Sequence, residues 1–285
     1  MIVPHVRRGG SIRVLSGRDL DAALDLLAAD PVANVMVTSR VTESGLDPWR
    51  LGAELWGYPA SGPLRALCFN GANMVPVGSD PEALAGFAER ARRQGRRCSS
   101  IVGNSDAVLG LWSLLRPYWG PARDVREVQP LMVIAEPPVV PGHPEVRLVR
   151  PDEIEIFLPA AVAMYTEEIG FSPVMSDGGA LYRARVMELI VQRRAYALIR
   201  DGVVRFKAEI GAVAGDTCQI QGVWVDPSLR GRGLGASGTA AVVAAAQRDI
   251  APVVSLYVNA HNASARRVYE RVGFHEKGTF ASVLF

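Results

Sequence analysis

One stretch, Ser228-Leu229-Arg230-Gly231-Arg232-Gly233-Leu234-Gly235-Ala236, restricts what this chain can fold into more than any other. The run Gln219-Ile220-Gln221-Gly222-Val223-Trp224-Val225 before it reads as a strand, with Asp226-Pro227 as the turn. Leu234 to Asp249 after it reads as a helix of small residues. Strand, glycine-rich turn and helix together aim backbone N–H groups and the positive end of a helix dipole at an anion. Glycine is needed because a Cβ would block the approach of a phosphate and because the nest of amides uses unusual dihedrals. The stretch therefore reads as a pyrophosphate cradle.

A chain of 285 residues suggests two domains of moderate size, and 49% apolar with 21% charged residues fits a globular protein. A net charge of +2 gives no electrostatic footprint for nucleic acid. Cys68, Cys98 and Cys218 form neither a C-x-x-C pair nor a disulfide framework, which fits a reducing cytoplasm. His5, His143, His261 and His275 lack metal-ligand spacing, so no metal is expected. Met1 to Gly10 has no apolar segment of a signal peptide, and no apolar run reaches the ~18 residues of a spanning helix. The expectation is a cytoplasmic protein with no membrane or nucleic-acid partner.

Glu136 to Pro144 carries four prolines and cannot continue a helix or a central strand. It divides the chain into domains 1–136 and 145–285, with 137–144 as linker. In the first half, strands are expected at 12–15, 54–58, 64–69, 73–77, 99–102 and 124–135, with Pro130 marking an edge or a break. Helices are expected from Asp19, over 32–42, from Asp80-Pro81 to about Arg97, and from Ser105 to about Gly120. In the second half, strands are expected at 145–149, 195–199, 203–213, 217–225, 253–258 and 274–285. Helices are expected at 152–165, 180–192, 234–249 and 262–272, with a loop over 167–179. Asp201-Gly202 predicts a hairpin turn. Both halves thus share one order: strand, two helices, three strands, helix, strand, helix, strand. The first half has no glycine cradle between Val77 and Glu82, so if it is a copy, it has lost the phosphate-binding loop.

Gly233-Leu234-Gly235-Ala236-Ser237-Gly238 satisfies the dinucleotide pattern G-x-G-x-x-G, but its context does not. That fold needs further βα units and an acidic residue after the next strand, and Val253–Val258 ends in Asn259. A longer match runs from Val223 to Gly235, whose Arg230-Gly231-Arg232-Gly233-Leu234-Gly235 resembles the acyl-CoA signature of the GNAT superfamily of N-acetyltransferases. Asn262-Ala263-Ser264-Ala265-Arg266-Arg267-Val268-Tyr269-Glu270-Arg271-Val272-Gly273-Phe274 resembles that superfamily's second motif, N-x-x-A-x-x-x-Y-x-x-x-G-F. The resemblance covers about Glu145 to Phe285.

The resemblance implies an α/β (α+β) fold of two domains. The C-terminal one is a GNAT fold with a mixed, splayed central sheet flanked by helices, and the N-terminal half is a candidate degenerate copy. It implies acetyl-CoA as co-substrate, with the N–H groups of Arg230, Gly231, Arg232, Gly233, Leu234, Gly235 and Ala236 on the pyrophosphate. Backbone groups of Val223, Trp224 and Val225 would pair with the pantetheine arm as an added strand. The acceptor would be a primary amine on a small molecule or a protein, attacking the thioester directly. Tyr269 would be the general acid for the thiolate, although a core tyrosine on the Ala265–Tyr269–Val272 face would look the same. Asn262 stands both as a cofactor contact and as a helix N-cap. The family's usual base position falls near Thr217, so Glu209 and Asp216 are the nearest substitutes; Glu209 is the preferred candidate base, or else a solvated strand residue paired with Lys207 or Arg205. Glu167 and Glu168 would recognise a cationic acceptor or simply end a helix. The alternative function is a non-catalytic acyl-CoA-binding or regulatory module. The family also commonly adds a strand beyond the one after Gly-Phe, which would here be either absent or supplied by the first half.

Overall fold

The computed structural model describes residues 11–174 and 178–285. The reading of Met1–Gly10 lies outside them, as do Met175–Asp177 of the expected loop. The chain divides into two units, Met1–Leu131 with Lys277–Phe285, and Met132–Glu276.

The first unit runs β1 (Arg13–Val14), α1 (Leu20–Leu27), α2 (Val35–Ser44), α3 (Pro48–Leu51), β2 (Glu54–Tyr58), β3 (Ala66–Asn70), β4 (Asn73–Val77), α4 (Pro81–Gln94), β5 (Ser100–Asn104), α5 (Ser105–Trp119) and most of β6 (Asp124–Ile134). Its sheet also takes in residues 277–284 of β12 (His275–Leu284), in the order β1-β2-β3-β4-β5-β12-β6. β4 and β5 are parallel, and β5 pairs antiparallel with β12 from Phe280↔Asn104 to Leu284↔Ser100. Residues 277–285, read from sequence with the C-terminal domain, cluster here because Ala281 and Val283 are fully buried among Trp56, Phe87, Leu111 and Leu115. The short α3 was not expected. Its signal is Asp47-Pro48, with the Asp47 carboxylate accepting from Trp49 N (2.8 Å) and proline at the first helical position. β6, the last strand of this unit's sheet, runs through Pro130 without a break. A proline removes one donor, but its fixed φ suits extended chain.

The second unit contains β7 (Arg147–Leu148), α6 (Ile154–Ile169), α7 (Ala180–Val191), β8 (Ala195–Arg200), β9 (Val203–Ala214), β10 (Thr217–Val225), α8 (Leu234–Asp249), β11 (Val253–Tyr257) and α9 (Ala263–Val272). Its sheet order is β6-β11-β10-β9-β8-β7, with residues 132–134 contributing the β6 position. α8 and α9 cover one face through Phe206, Ile210, Val243, Leu256 and Val272. α6 and α7 cover the other through Phe157, Ile190, Ala195 and Val204. Each fully buried large apolar side chain contributes about 1.5–3 kcal/mol.

Two expectations change. α6 continues to Ile169 and stops at Gly170 (φ +89°), so Glu167 and Glu168 sit in its last turn and not in a loop. β7 shrinks to two residues, with Arg147↔Ala197 and Leu148↔Tyr196 as its ladder pairs. Residues 137–144 lack helix and strand but are tied to the second unit. Val139 N donates to Val272 O (2.9 Å), His143 N donates to Ser237 O (2.8 Å), and a Cβ on Gly142 would meet the Ala241 backbone at 2.9 Å.

Candidate active site

The cradle begins where β10 ends. The Asp226 carboxylate accepts from Ser228 N (3.0 Å) and Ser228 Oγ (2.7 Å), and it pairs with Arg205 (2.7 Å). The Ser228 hydroxyl, then Arg205, hold that carboxyl below its usual range. The tight turn Pro227–Leu229 follows, then Gly231 (φ +75°) and Gly233 (φ +85°), both in the left-handed region that glycine tolerates. Gly233 is the N-cap of α8, and among the described residues no side chain caps that helix. The Arg230 N–H turns back to Pro227 O (3.4 Å) and that of Ala236 to Gly233 O (3.1 Å). The amides at 231–235 are therefore the part of the expected set that suits an anion. Gly238 serves packing: a Cβ there would lie 2.6 Å from the Phe206 ring.

Beside the cradle the sheet opens. β10 and β11 are parallel over Thr217↔Val253 to Gln219↔Ser255, while the strands continue to Val225 and Tyr257. On its other side β10 stays paired with β9, but Gln221↔Glu209 is followed by Trp224↔Lys207. One extra residue is therefore taken up at Gly222-Val223, a β-bulge with Gly222 at φ +60°. Val223 and Val225 point to the α8/α9 face, where they pack half-buried, and Trp224 points to the α6/α7 face.

Arg230 does not lie in the mouth of the cradle. Its Nε donates to Val225 O (3.0 Å), and its guanidinium pairs with Glu167 (2.8 Å). The Trp224 indole N–H donates to the same carboxylate (3.0 Å). Glu167 thus binds the strand and the turn together, a role that sequence reasoning missed. Arg232 is exposed in the same turn.

Tyr269 lies on α9, 8% exposed, with its ring edge-on to Phe274 at 5.9 Å. Burial first, and then the Glu168 carboxylate, push its phenol above its ordinary range. Glu168 also accepts from Asn259 Nδ2 (3.1 Å), just past β11. Asn262 caps α9, accepting from Ala265 N at 3.0 Å.

Glu209 is not a solvated strand residue. It is 4% exposed, and its Oε1 lies 2.7 Å from Nζ of Lys207, which is 0% exposed. The two charges are in contact but not aligned as a hydrogen bond. Gln221 Nε2 lies 3.5 Å from Glu209 Oε2. Tyr182 is close by, donating to Ala161 O (2.9 Å), and its phenol is raised by burial and then by the Glu209 charge. Tyr165 stacks edge-on between Tyr182 (5.4 Å) and Phe171 (6.0 Å). The one available signal for Lys207 was its identity, since the chain has only two lysines among 31 basic residues.

All three cysteines are buried free thiols; burial pushes Cys98 up to about 11 and Cys218 to about 12. Among the described residues no group of three or more His, Cys, Asp or Glu is placed to hold a metal, and no helix is long and apolar enough to cross a membrane.

Residues 193–274, which hold the cradle, the bulge and α9, match the acetyltransferase (GNAT) family, and residues 53–157 match a domain of unknown function, DUF4081. A mycothiol acetyltransferase of Brachybacterium faecium is 35% identical over 111 residues, which are 36% of this chain and 34% of that protein. The match therefore spans about a third of that relative. The fold recurs in a Drosophila protein (TM-score 0.68, 16% identity, 97% of this chain and 99% of that one). It recurs again in a tandem GNAT protein from the clavulanic acid biosynthesis pathway (TM-score 0.56, 15% identity, 96% and 98%). Residues 193–274 thus carry the likeness to the GNAT acetyltransferase family.

Proposed function

We propose that this protein is an acetyl-CoA-dependent N-acyltransferase with one active site, in the second unit. One observation carries the reading: the uncapped start of α8 at Gly233 adjoins the place where β10 parts from β11. The amides at 231–235 would take the pyrophosphate, with Arg232 adding charge. Val223, Trp224 and Val225 would offer backbone to the pantetheine arm, provided Arg230 leaves the Val225 carbonyl. The likeness to a mycothiol acetyltransferase supports acetyl as the acyl group.

In the proposed reaction Glu209 takes a proton from the acceptor ammonium, and the free amine attacks the thioester carbonyl. The tetrahedral intermediate collapses with loss of the C–S bond, the Tyr269 hydroxyl protonates the thiolate, and the proton released from the new amide nitrogen returns, through solvent, to the Tyr269 phenolate. The place of Tyr269 on α9 in the second motif supports this acid role; the upward push on the phenol keeps the proton in place but makes Tyr269 a weaker acid, which the thiolate's own basicity has to overcome. Acetyl transfer across a panel of small amines and N-terminal peptides, followed by CoA thiol release, tests the reading. Tyr269→Phe is expected to lower kcat about 10²–10⁴-fold with acetyl-CoA affinity unchanged. Unchanged kcat removes Tyr269 from its role. Tight acetyl-CoA binding with no transfer to any amine would instead make the domain a non-catalytic acyl-CoA binder.

A further inference from the structure

The buried Lys207–Glu209 pair sits directly beneath the β10 bulge. Lys207 stands opposite Trp224 and Glu209 opposite Gln221, so the pair brackets the stretch of β9 that faces Gly222-Val223. A Cβ on Gly222 would lie 3.0 Å from Lys207 Nζ, 3.2 Å from Glu209 Oε2 and 3.1 Å from Met164 Cε. The absent side chain lets the bulge backbone rest on the two charged groups. Below them, Lys207 Nζ stands 5.4 Å from the centroid of the Phe157 ring, which is itself fully buried.

Such a pair is a poor choice for stability alone. Desolvating two charges offsets most of their attraction, and an apolar pair of similar volume is often neutral or stabilising. The proposed base role accounts for the carboxylate of Glu209, and the buried ammonium of Lys207 needs a contribution of its own. We infer that Lys207 is a positioning residue for the donor slot: its ammonium, held on Glu209, props the Gly222-Val223 bulge so that β10 presents its backbone to the pantetheine arm. The bulge turns the strand locally away from regular pairing, and a fixed pair of charges against Gly222 fixes that turn. Without the prop, β10 has no rigid group beneath its extra residue and the arm meets a strand of several conformations. The inference rests on the proposed donor site and assigns Lys207 no contact with the acyl group.

The test measures binding, so it needs no acceptor. The full chain and the Lys207→Met/Glu209→Met double variant, which replaces both charges together, are titrated calorimetrically with two probes. One is acetyl-CoA. The other is adenosine 3′-phosphate 5′-diphosphate, the part of CoA that carries the pyrophosphate without the pantetheine arm. The double variant should bind the fragment about as the wild type does, and acetyl-CoA about tenfold more weakly, the equivalent of one or two lost backbone hydrogen bonds. Gly222→Ala, which pushes a methyl against the same pair, should give the same split while keeping both charges. Equal acetyl-CoA affinity in the wild type and the double variant overturns the inference. Equal weakening of both probes also overturns it, because the damage is then general. Failure of the wild type to bind acetyl-CoA overturns the donor site itself, which separates the two claims.

Discussion

The strand–turn–helix junctions β4–α4 and β10–α8 occupy the same place in the two halves and finish their helices in opposite ways. At α4, the Asp80 side chain accepts from Glu82 N (2.9 Å), and Pro81 at the first helical position has no N–H to offer. The helix start is satisfied from within, and a carboxylate stands where an anion would enter. At α8 the N-cap is Gly233, no side chain among the described residues caps the helix, and two left-handed glycines bring the chain in. The same backbone is therefore closed in one unit and open in the other. An anion site needs a helix whose first amides have been left without a cap, and it gives up the stability that a cap would contribute.

The comparison can be broken by moving the cap. Gly233→Asp places a carboxylate at the start of α8 and strains a residue at φ +85°. Acetyl-CoA affinity should fall by about a hundredfold or more, roughly 3 kcal/mol, as read by calorimetry. Gly231→Ala keeps the mouth neutral but strains φ +75°, at a cost of about 1–2 kcal/mol, and should weaken acetyl-CoA by about tenfold. Asn262→Ala removes the cap of α9 and should lower stability by about 1 kcal/mol, seen as a lower denaturation midpoint, with acetyl-CoA affinity little changed. A loss of affinity larger than the loss of stability would make Asn262 a cofactor contact as well. Asp80→Ala uncaps α4 and should also cost about 1 kcal/mol or less, yet confer no acetyl-CoA binding on the first unit, because Pro81 still withholds an amide.

What the sequence disclosed and what it hid follow the range of the forces involved. The cradle, the Asn262 cap and the Asp201-Gly202 turn depend on residues a few positions apart, so their chemistry is written locally. The stop of α6 at Gly170 was equally local, but the expected loop began too early at Glu167. The burial of Lys207 and Glu209 was hidden for the opposite reason. Phe206, Ala208 and Ile210 alternate with Lys207 and Glu209 along β9, the pattern of a strand with one wet face. Here α6 and α7 cover that face, a fact set by residues some 20 to 50 positions away. The same holds for residues 277–285, whose partner β5 lies far back in the chain. Their alternation announced a strand and could not say which sheet it joins.

The central claim is one donor site, in the unit with the uncapped helix. Calorimetric titration of the full chain with acetyl-CoA tests it most directly, run in parallel on the Gly233→Asp variant. One acetyl-CoA per chain is expected for the wild type, with loss of that binding in the variant. Two sites per chain, or one site that survives Gly233→Asp with unchanged affinity, would contradict it.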